Sequence, residues 1–285
     1  MLTITQAIIL GLLQGVTELF PISSLGHSVL LPAVLHWNLD EHAPYFLVLL
    51  VATHLATALV LFFIFIKDWL LIGQGFLRSV LARRIDPRDT YAKLAWMLII
   101  ATIPAGLLGL LFQKKLELLF ASPHVVAVLL ILNGVLLLLA DRLRKRKKRL
   151  EVARERVDVS IARIGFLPAI VAGTLQALAL LPGFSRTGAS MTGGLLAGLD
   201  NESALRFSFL LATPIIFAAA LLKLPLLLHP GYPVLEIGIA SLAAAIGAFF
   251  SAVFLIRYFR TNNLSPFGWY CILAGILCLI SFVLG

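Results

Sequence analysis

The sequence predicts an all-α, polytopic membrane protein with six spanning helices and two re-entrant helical hairpins in an inverted repeat. Three observations carry this. Sixty per cent of the 285 residues are hydrophobic and only 13% are charged, with a mean hydropathy of +1.01, whereas soluble domains average about 25% charged residues. Apolar runs long enough to cross a bilayer recur along the whole chain. Two segments that stop short of that length match one another at a constant offset.

The first element is an apolar arm over residues 4–20, broken by Pro21 and the polar run SSLGHS, with a second arm to about residue 35. Spans follow at about 44–66, 91–112 and 123–141. The run RLRKRKKRL (142–150) then heads a basic linker, 142–162, whose simplest roles are to fix topology and to meet anionic lipid headgroups. Residues 163–181 repeat the opening plan: an apolar arm, a break at Pro182-Gly183, the polar run SRTGAS and a second arm to about 199. Spans at 203–224, 234–257 and 267–284 complete the chain. The expected organisation is a single integral-membrane domain, 1–285, with a first repeat over 1–141 and a second, inverted repeat over 163–285.

The hairpins are re-entrant because their second arms are short. At 1.5 Å per residue, about 12 residues reach ~18 Å, against ~30 Å of hydrocarbon. At an offset of 162, Gln14 falls on Gln176, Ser23 on Ser185, Gly26 on Gly188 and Ser28 on Ser190. Pro21 is one position out of register with Pro182. Three spans separate the hairpins, and an odd number of crossings makes the second enter from the opposite side. Both broken tips then meet near the midplane, a plan shared with many transporters.

Charge placement sets the orientation. The net charge of +9 could suggest a nucleic-acid partner, but the basic residues cluster between apolar spans. Nineteen lie on the side of the linker and three (Lys114, Lys115, Lys223) on the other, with Arg186 in a hairpin tip. The positive-inside rule makes the first side cytoplasmic and both termini external. The N-terminal arm does not read as a cleavable signal peptide, since the first basic residue is Lys67. Cys271 and Cys278 stand two turns apart on one helix, which suits packing rather than a mutual disulfide.

Few ionisable groups remain at membrane depth: Glu18, His27, Arg186 and the isolated His54. An arginine there costs ~2.5–3.5 kcal/mol on insertion scales, so it asks for a function. Gln14 and Glu18 are one helical turn apart, as are Ser24 and His27. A carboxylate, an imidazole, hydroxyls and a guanidinium suit an oxygen-rich anion, and the arginine fork matches phosphate. Gln14, Ser23, Gly183, Ser185, Thr187 and Ser190 are substrate-binding candidates, because hydroxyls and backbone N–H groups at a short helix start favour anions. For phosphoryl transfer, Ser24 or His27 could be the nucleophile and His27 or Glu18 the base. Arg186 with a divalent cation would neutralise charge.

Plainer readings stand beside these. Gln14 and Glu18 could simply satisfy a helix break, the small polar residues could serve helix packing, and His54 could be packed or bonded to backbone.

The stretches QGVTELFPISSLGH (14–27) and PGFSRTGAS (182–190) resemble the two signature motifs of the BacA-type undecaprenyl-pyrophosphate phosphatases. The resemblance covers essentially the whole chain. It implies removal of one phosphate from a polyprenyl pyrophosphate lipid, in a bacterial inner membrane, at a site opening outward and dependent on Mg2+ or Ca2+. It also implies that Glu18 is the essential motif glutamate and a metal ligand, Ser24 the candidate nucleophile, His27 the motif histidine and Arg186 the phosphate-binding arginine. The favoured assignment has Ser24 attacking while His27, oriented by Glu18, takes its proton. Gln14, Thr187 and Ser190 depart from the commonest family residues, and Gln14 puts a two-carboxylate metal site in doubt. The partners expected are the lipid and the bilayer, with no nucleic acid; a homodimer is an allowed assembly. The alternative from another class is an inverted-repeat transporter or flippase of a polyprenyl phosphate lipid. A type-2 phosphatidic-acid phosphatase would need a second histidine after its arginine motif, where this chain has TGASMTGG.

Overall fold

The structure, a computed structural model, describes residues 2–37, 44–120, 122–147, 157–227 and 232–284. The middle of the basic linker, 148–156, lies outside the described residues, as do Asp40 and Glu151. All regular structure among the described residues is helical. In chain order the helices are α1 (Ile4–Leu19), α2 (Ser24–Val34), α3 (Pro44–Ile64), α4 (Ile66–Leu81), α5 (Thr90–Phe120) and α6 (Pro123–Lys147). Then come α7 (Val157–Arg163), α8 (Phe166–Gln176) with a 3-10 turn over Ala177–Leu180, α9 (Arg186–Leu196), α10 (Asn201–Leu227), α11 (Val234–Tyr258) and α12 (Ser265–Leu284).

Six helices are long and apolar enough to cross a membrane: stretches of α3, α5, α6, α10, α11 and α12, with ends within about two residues of the expected spans. Their outer faces carry exposed side chains such as Phe63, Leu107 and Phe250, as lipid contact requires. The pairs α1/α2 and α8/α9 are the two hairpins. Their elements coincide at the offset of 162: α1 and α8 start at Ile4 and Phe166, and α2 and α9 span equivalent residues.

The repeats interlock. Arm α1 of the first packs along α11 of the second, and arm α8 of the second packs along α5 of the first. Glycine makes both contacts possible. A Cβ at Gly11 would run into the Ala240 carbonyl, and one at Gly173, its counterpart, into the Ala101 carbonyl. Small residues let backbones meet where no hydrophobic force drives helices together. The third spans, α6 and α12, pack on each other, with Gly134 against the Gly268 backbone.

Two helices were not expected. Helix α4 falls among the charges after the first span; it is 16 residues long and amphipathic. It is fixed to α5 by Trp96 Nε1 donating to Ser79 Oγ at 2.9 Å and by Phe76 against the Trp96 ring. Its apolar face finds a partner only in the folded protein, so composition alone hid it. Helix α7 occupies the end of the expected linker, and a 96° bend separates it from the arm that follows. Gly165, at φ +83°, makes that turn, so the second repeat's first arm begins at Phe166 rather than 163.

The linker-side face is tied by charge. Arg206 of α10 reaches both Asp68 of α4 and Asp158 of α7, the latter at 3.0 Å, and Tyr91 of α5 donates to Asp158 at 3.1 Å. Burial pushes the Asp68 carboxyl above its ordinary range, against the pull of Arg206.

Candidate active site

The two hairpin tips meet through a dense set of hydrogen bonds. Ser23 and Ser185 hold equivalent places as N-caps of α2 and α9, accepting from the N–H groups of Gly26 (3.2 Å) and Gly188 (3.1 Å). Each also reaches the other repeat: Ser23 Oγ accepts from Gly183 N at 3.2 Å, and Ser185 Oγ donates to the Phe20 carbonyl at 3.2 Å. Asn133 of α6 links the tips, donating to the Pro21 carbonyl and accepting from Ser185 N at 3.0 Å. Thr187 donates to the Glu18 carbonyl at 3.2 Å. Ser190 donates to the Arg186 carbonyl at 2.8 Å and lies 2.6 Å from Ser208. Gly183, at φ +111°, sits against the Val126 carbonyl. Thus Ser23, Gly183, Thr187 and Ser190 build the tips behind the site, and Ser185 both builds the tip and borders the cavity.

At the centre is Glu18. Its Oε1 accepts from Arg186 Nη2 at 2.7 Å, an ion pair between one tip and the other. Its Oε2 accepts a short hydrogen bond from Ser24 Oγ and one of 3.1 Å from Gln14 Nε2, and lies 3.2 Å from His54 Nε2. His54 donates through Nδ1 to the Leu50 carbonyl at 2.7 Å. The Nε2 contact then needs a proton between imidazole and carboxylate. Glu18, Arg186 and that shared proton leave one net positive charge, which an anionic ligand would offset.

These groups border a cavity of about 1370 Å³. Glu18, Ser24, His54, Gln176, Ser185 and Arg186 supply a polar patch in a wall otherwise mostly apolar, formed largely by α3, α4, α5 and α10. Exposed apolar residues of α5, among them Ile99, Ile103 and Leu107, edge the cavity, so it communicates with the lipid side. A phosphate at the polar patch can therefore trail an apolar chain along α5.

The structure brings Glu18, Ser24 and Arg186 together as expected of one centre, but it places His27 elsewhere. His27 Nδ1 donates to the Ser23 carbonyl at 2.6 Å, while Nε2 accepts from Tyr270 OH at 2.9 Å, with the two rings stacked. It does not border the cavity. The expected arrangement in which Glu18 orients His27 is corrected: Ser24 donates directly to Glu18, and the histidine at Glu18 is His54. The backbone bond anticipated for His54 is present, but its second nitrogen serves the site. Its one signal in the sequence was an ionisable group inside a span. Gln14 is also displaced from its expected place, lying behind Glu18 against a small separate void.

A protein-held divalent cation does not fit this donor set. Both oxygens of the lone carboxylate are engaged by Arg186, Ser24, Gln14 and His54. Among the described residues no group of three His, Cys, Asp or Glu side chains is gathered for a metal.

Residues 7–277 match the family described as bacitracin resistance protein BacA. The chain is 46% identical over 281 residues to undecaprenyl-diphosphatase 2 of Chromobacterium violaceum, covering 96% of this chain and 97% of that protein. It is 46% identical over 273 residues to undecaprenyl-diphosphatase 2 of Burkholderia thailandensis, covering 95% and 94%. Identity to undecaprenyl-diphosphatase 1 of Burkholderia pseudomallei is 45% over 273 residues, with the same coverage.

Proposed function

Because the chain belongs to the BacA family, we propose that its interlocked hairpin tips form the centre at which it hydrolyses undecaprenyl pyrophosphate to the lipid monophosphate and inorganic phosphate. The observation that carries the site assignment is the short Ser24–Glu18 hydrogen bond beside the Glu18–Arg186 ion pair, on the wall of a cavity open to lipid.

In this reading Ser24 Oγ attacks the terminal phosphorus as its proton passes to Glu18 Oε2. The bond from phosphorus to the bridging oxygen breaks, and the lipid monophosphate leaves with that electron pair. Arg186 and the proton held between His54 and Glu18 face the charge that develops. Water then attacks the phosphoserine, the bond from phosphorus to Ser24 Oγ breaks as Glu18 returns its proton to Oγ, and inorganic phosphate leaves carrying the water's protons. A divalent cation, Mg2+ or Ca2+, enters the proposal as a companion of the substrate's phosphates and not as a resident of the protein. The cluster is complete within one chain, so the reading requires no second copy.

The cellular setting is part of the proposal. The chain lies in a bacterial inner membrane with the basic linker cytoplasmic, both termini external and the cavity delivering its product on the external side. Nineteen basic residues against three support that orientation.

The test is phosphate release from a polyprenyl pyrophosphate by purified protein in detergent, where sidedness is absent and transport cannot contribute. Ser24→Ala and Glu18→Gln should each lower the rate by ~10²–10⁴, the range for a lost acid–base partner. A phosphorylated peptide carrying Ser24 should be trapped by acid quench. Full activity in Ser24→Ala together with phosphohistidine would move the nucleophile to an imidazole.

A further inference from the structure

Equivalent glutamines in the two repeats differ at the amide nitrogen, although Oε1 of each is buried without a partner. In the first repeat, Gln14 Nε2 donates to Glu18, one helical turn further on. In the second, the residue one turn beyond Gln176 is Leu180, which offers no carboxylate. Gln176 is only 2% exposed, and neither its Nε2 nor its Oε1 has a hydrogen-bond partner in the protein. Unlike Gln14, it borders the large cavity, whose wall also includes Arg186.

Buried polar groups in native proteins are almost always satisfied, and an exception calls for an explanation. A second exception borders the same cavity: Arg186 Nη1 is buried without a partner, while Nη2 holds Glu18. One neutral carboxamide donor and one cationic donor, both unused, suit an oxyanion with several acceptor oxygens. Folding places Gln176 where this is possible. The α-helical ladder of α8 ends at this residue and the chain tightens into a 3-10 turn. The Gly173–Ala101 backbone contact holds the arm against α5 one turn earlier.

We propose that Gln176 is a substrate-binding residue: its Nε2 donates to a non-bridging oxygen of the diphosphate while Arg186 Nη1 donates to the same group. The inference rests on the diphosphatase reading above and adds to it a residue from the second repeat's first arm. The carboxamide binds without adding charge to that of Arg186 and the proton at His54.

The experiment compares the parent with Gln176→Leu and the near-isosteric Gln176→Glu, all purified in detergent, with farnesyl diphosphate as a soluble substrate. Gln176→Leu should lower kcat/KM by about 10- to 150-fold, mainly through KM, the range for one hydrogen bond to a charged group. Gln176→Glu should lose more, because a carboxylate would face phosphate. In a Ser24→Ala background, which blocks turnover, farnesyl diphosphate should raise the melting midpoint of the Gln176-containing protein more than that of Gln176→Leu. Parent-like kcat/KM in Gln176→Leu with an elevated melting midpoint would overturn the proposal, since deleting an idle buried amide should stabilise. A parent that fails to cleave any lipid diphosphate would instead overturn the diphosphatase reading. Inorganic pyrophosphate in the melting assay would then still report on Gln176, and equal stabilisation of parent and Gln176→Leu would overturn its role.

Discussion

Replacing Arg186 by lysine keeps the charge and removes the fork. In the structure Nη2 lies 2.7 Å from Glu18 Oε1, while Nη1 is buried without a partner on a residue that borders the cavity. A lysine ammonium on a flexible stem can keep the ion pair or reach a phosphate oxygen, but it cannot present two coplanar donors. The loss is therefore one charge-assisted hydrogen bond, ~1.5–3 kcal/mol. At 1.36 kcal/mol per decade, kcat/KM should fall by about 10- to 150-fold. Stability should change little, because Glu18 retains a cation. Arg186→Ala is the contrasting variant: it strips the buried carboxylate of its strongest partner, a change that typically costs ~3–5 kcal/mol. The assays are phosphate release across a substrate series and a thermal melt in detergent. If Arg186→Lys stays within about twofold of the parent in both kcat and KM, the two-point hold on phosphate is wrong and the fork serves only Glu18.

Three further outcomes are expected. His54→Gln should reduce kcat more than His27→Gln does, since His54 and not His27 meets Glu18; the reverse order would return the acid–base role to His27. Gln14→Glu should leave the magnesium titration of activity where the parent has it, because residue 14 lies outside the main cavity; a leftward shift would put residue 14 at the ion. In a chain lacking Cys271 and Cys278, single cysteines at Asp40 and Glu151 should react with impermeant reagents from opposite sides of the membrane; labelling of both from outside would break the inverted-repeat topology.

The apolar runs determine the spans because a helix crossing lipid must satisfy its backbone internally and present apolar side chains over a fixed thickness. That constraint acts on each segment separately, so α3, α5, α6, α10, α11 and α12 could be read from the chain alone. The inverted repeat was legible for a related reason. Ser23 and Ser185, like Gly26 and Gly188, keep the same residue because each must cap or crowd an equivalent tip. The helices α4 and α7 were not legible, because their stability comes from Trp96, Arg206 and other partners supplied by distant segments.

The site divides along the same line. Sequence pattern placed Glu18, Ser24 and Arg186 on facing tips, since buried charge at a helix break needs a partner. It favoured His27 over His54 as the partner of Glu18, and the structure has the reverse. His27 shares a helix with Ser24, but the tertiary fold turns it to Tyr270; His54 comes from another helix, and only the packing of α3 brings it to Glu18. Likewise Gln14 and Gln176 look equivalent in sequence. What distinguishes them is the environment: Glu18 occupies one amide, whereas Leu180 at the matching position leaves the other without a partner in the cavity wall. A residue's place in the chain fixes its chemistry, but the direction it faces is set by what packs around it, and that is a property of the assembled fold.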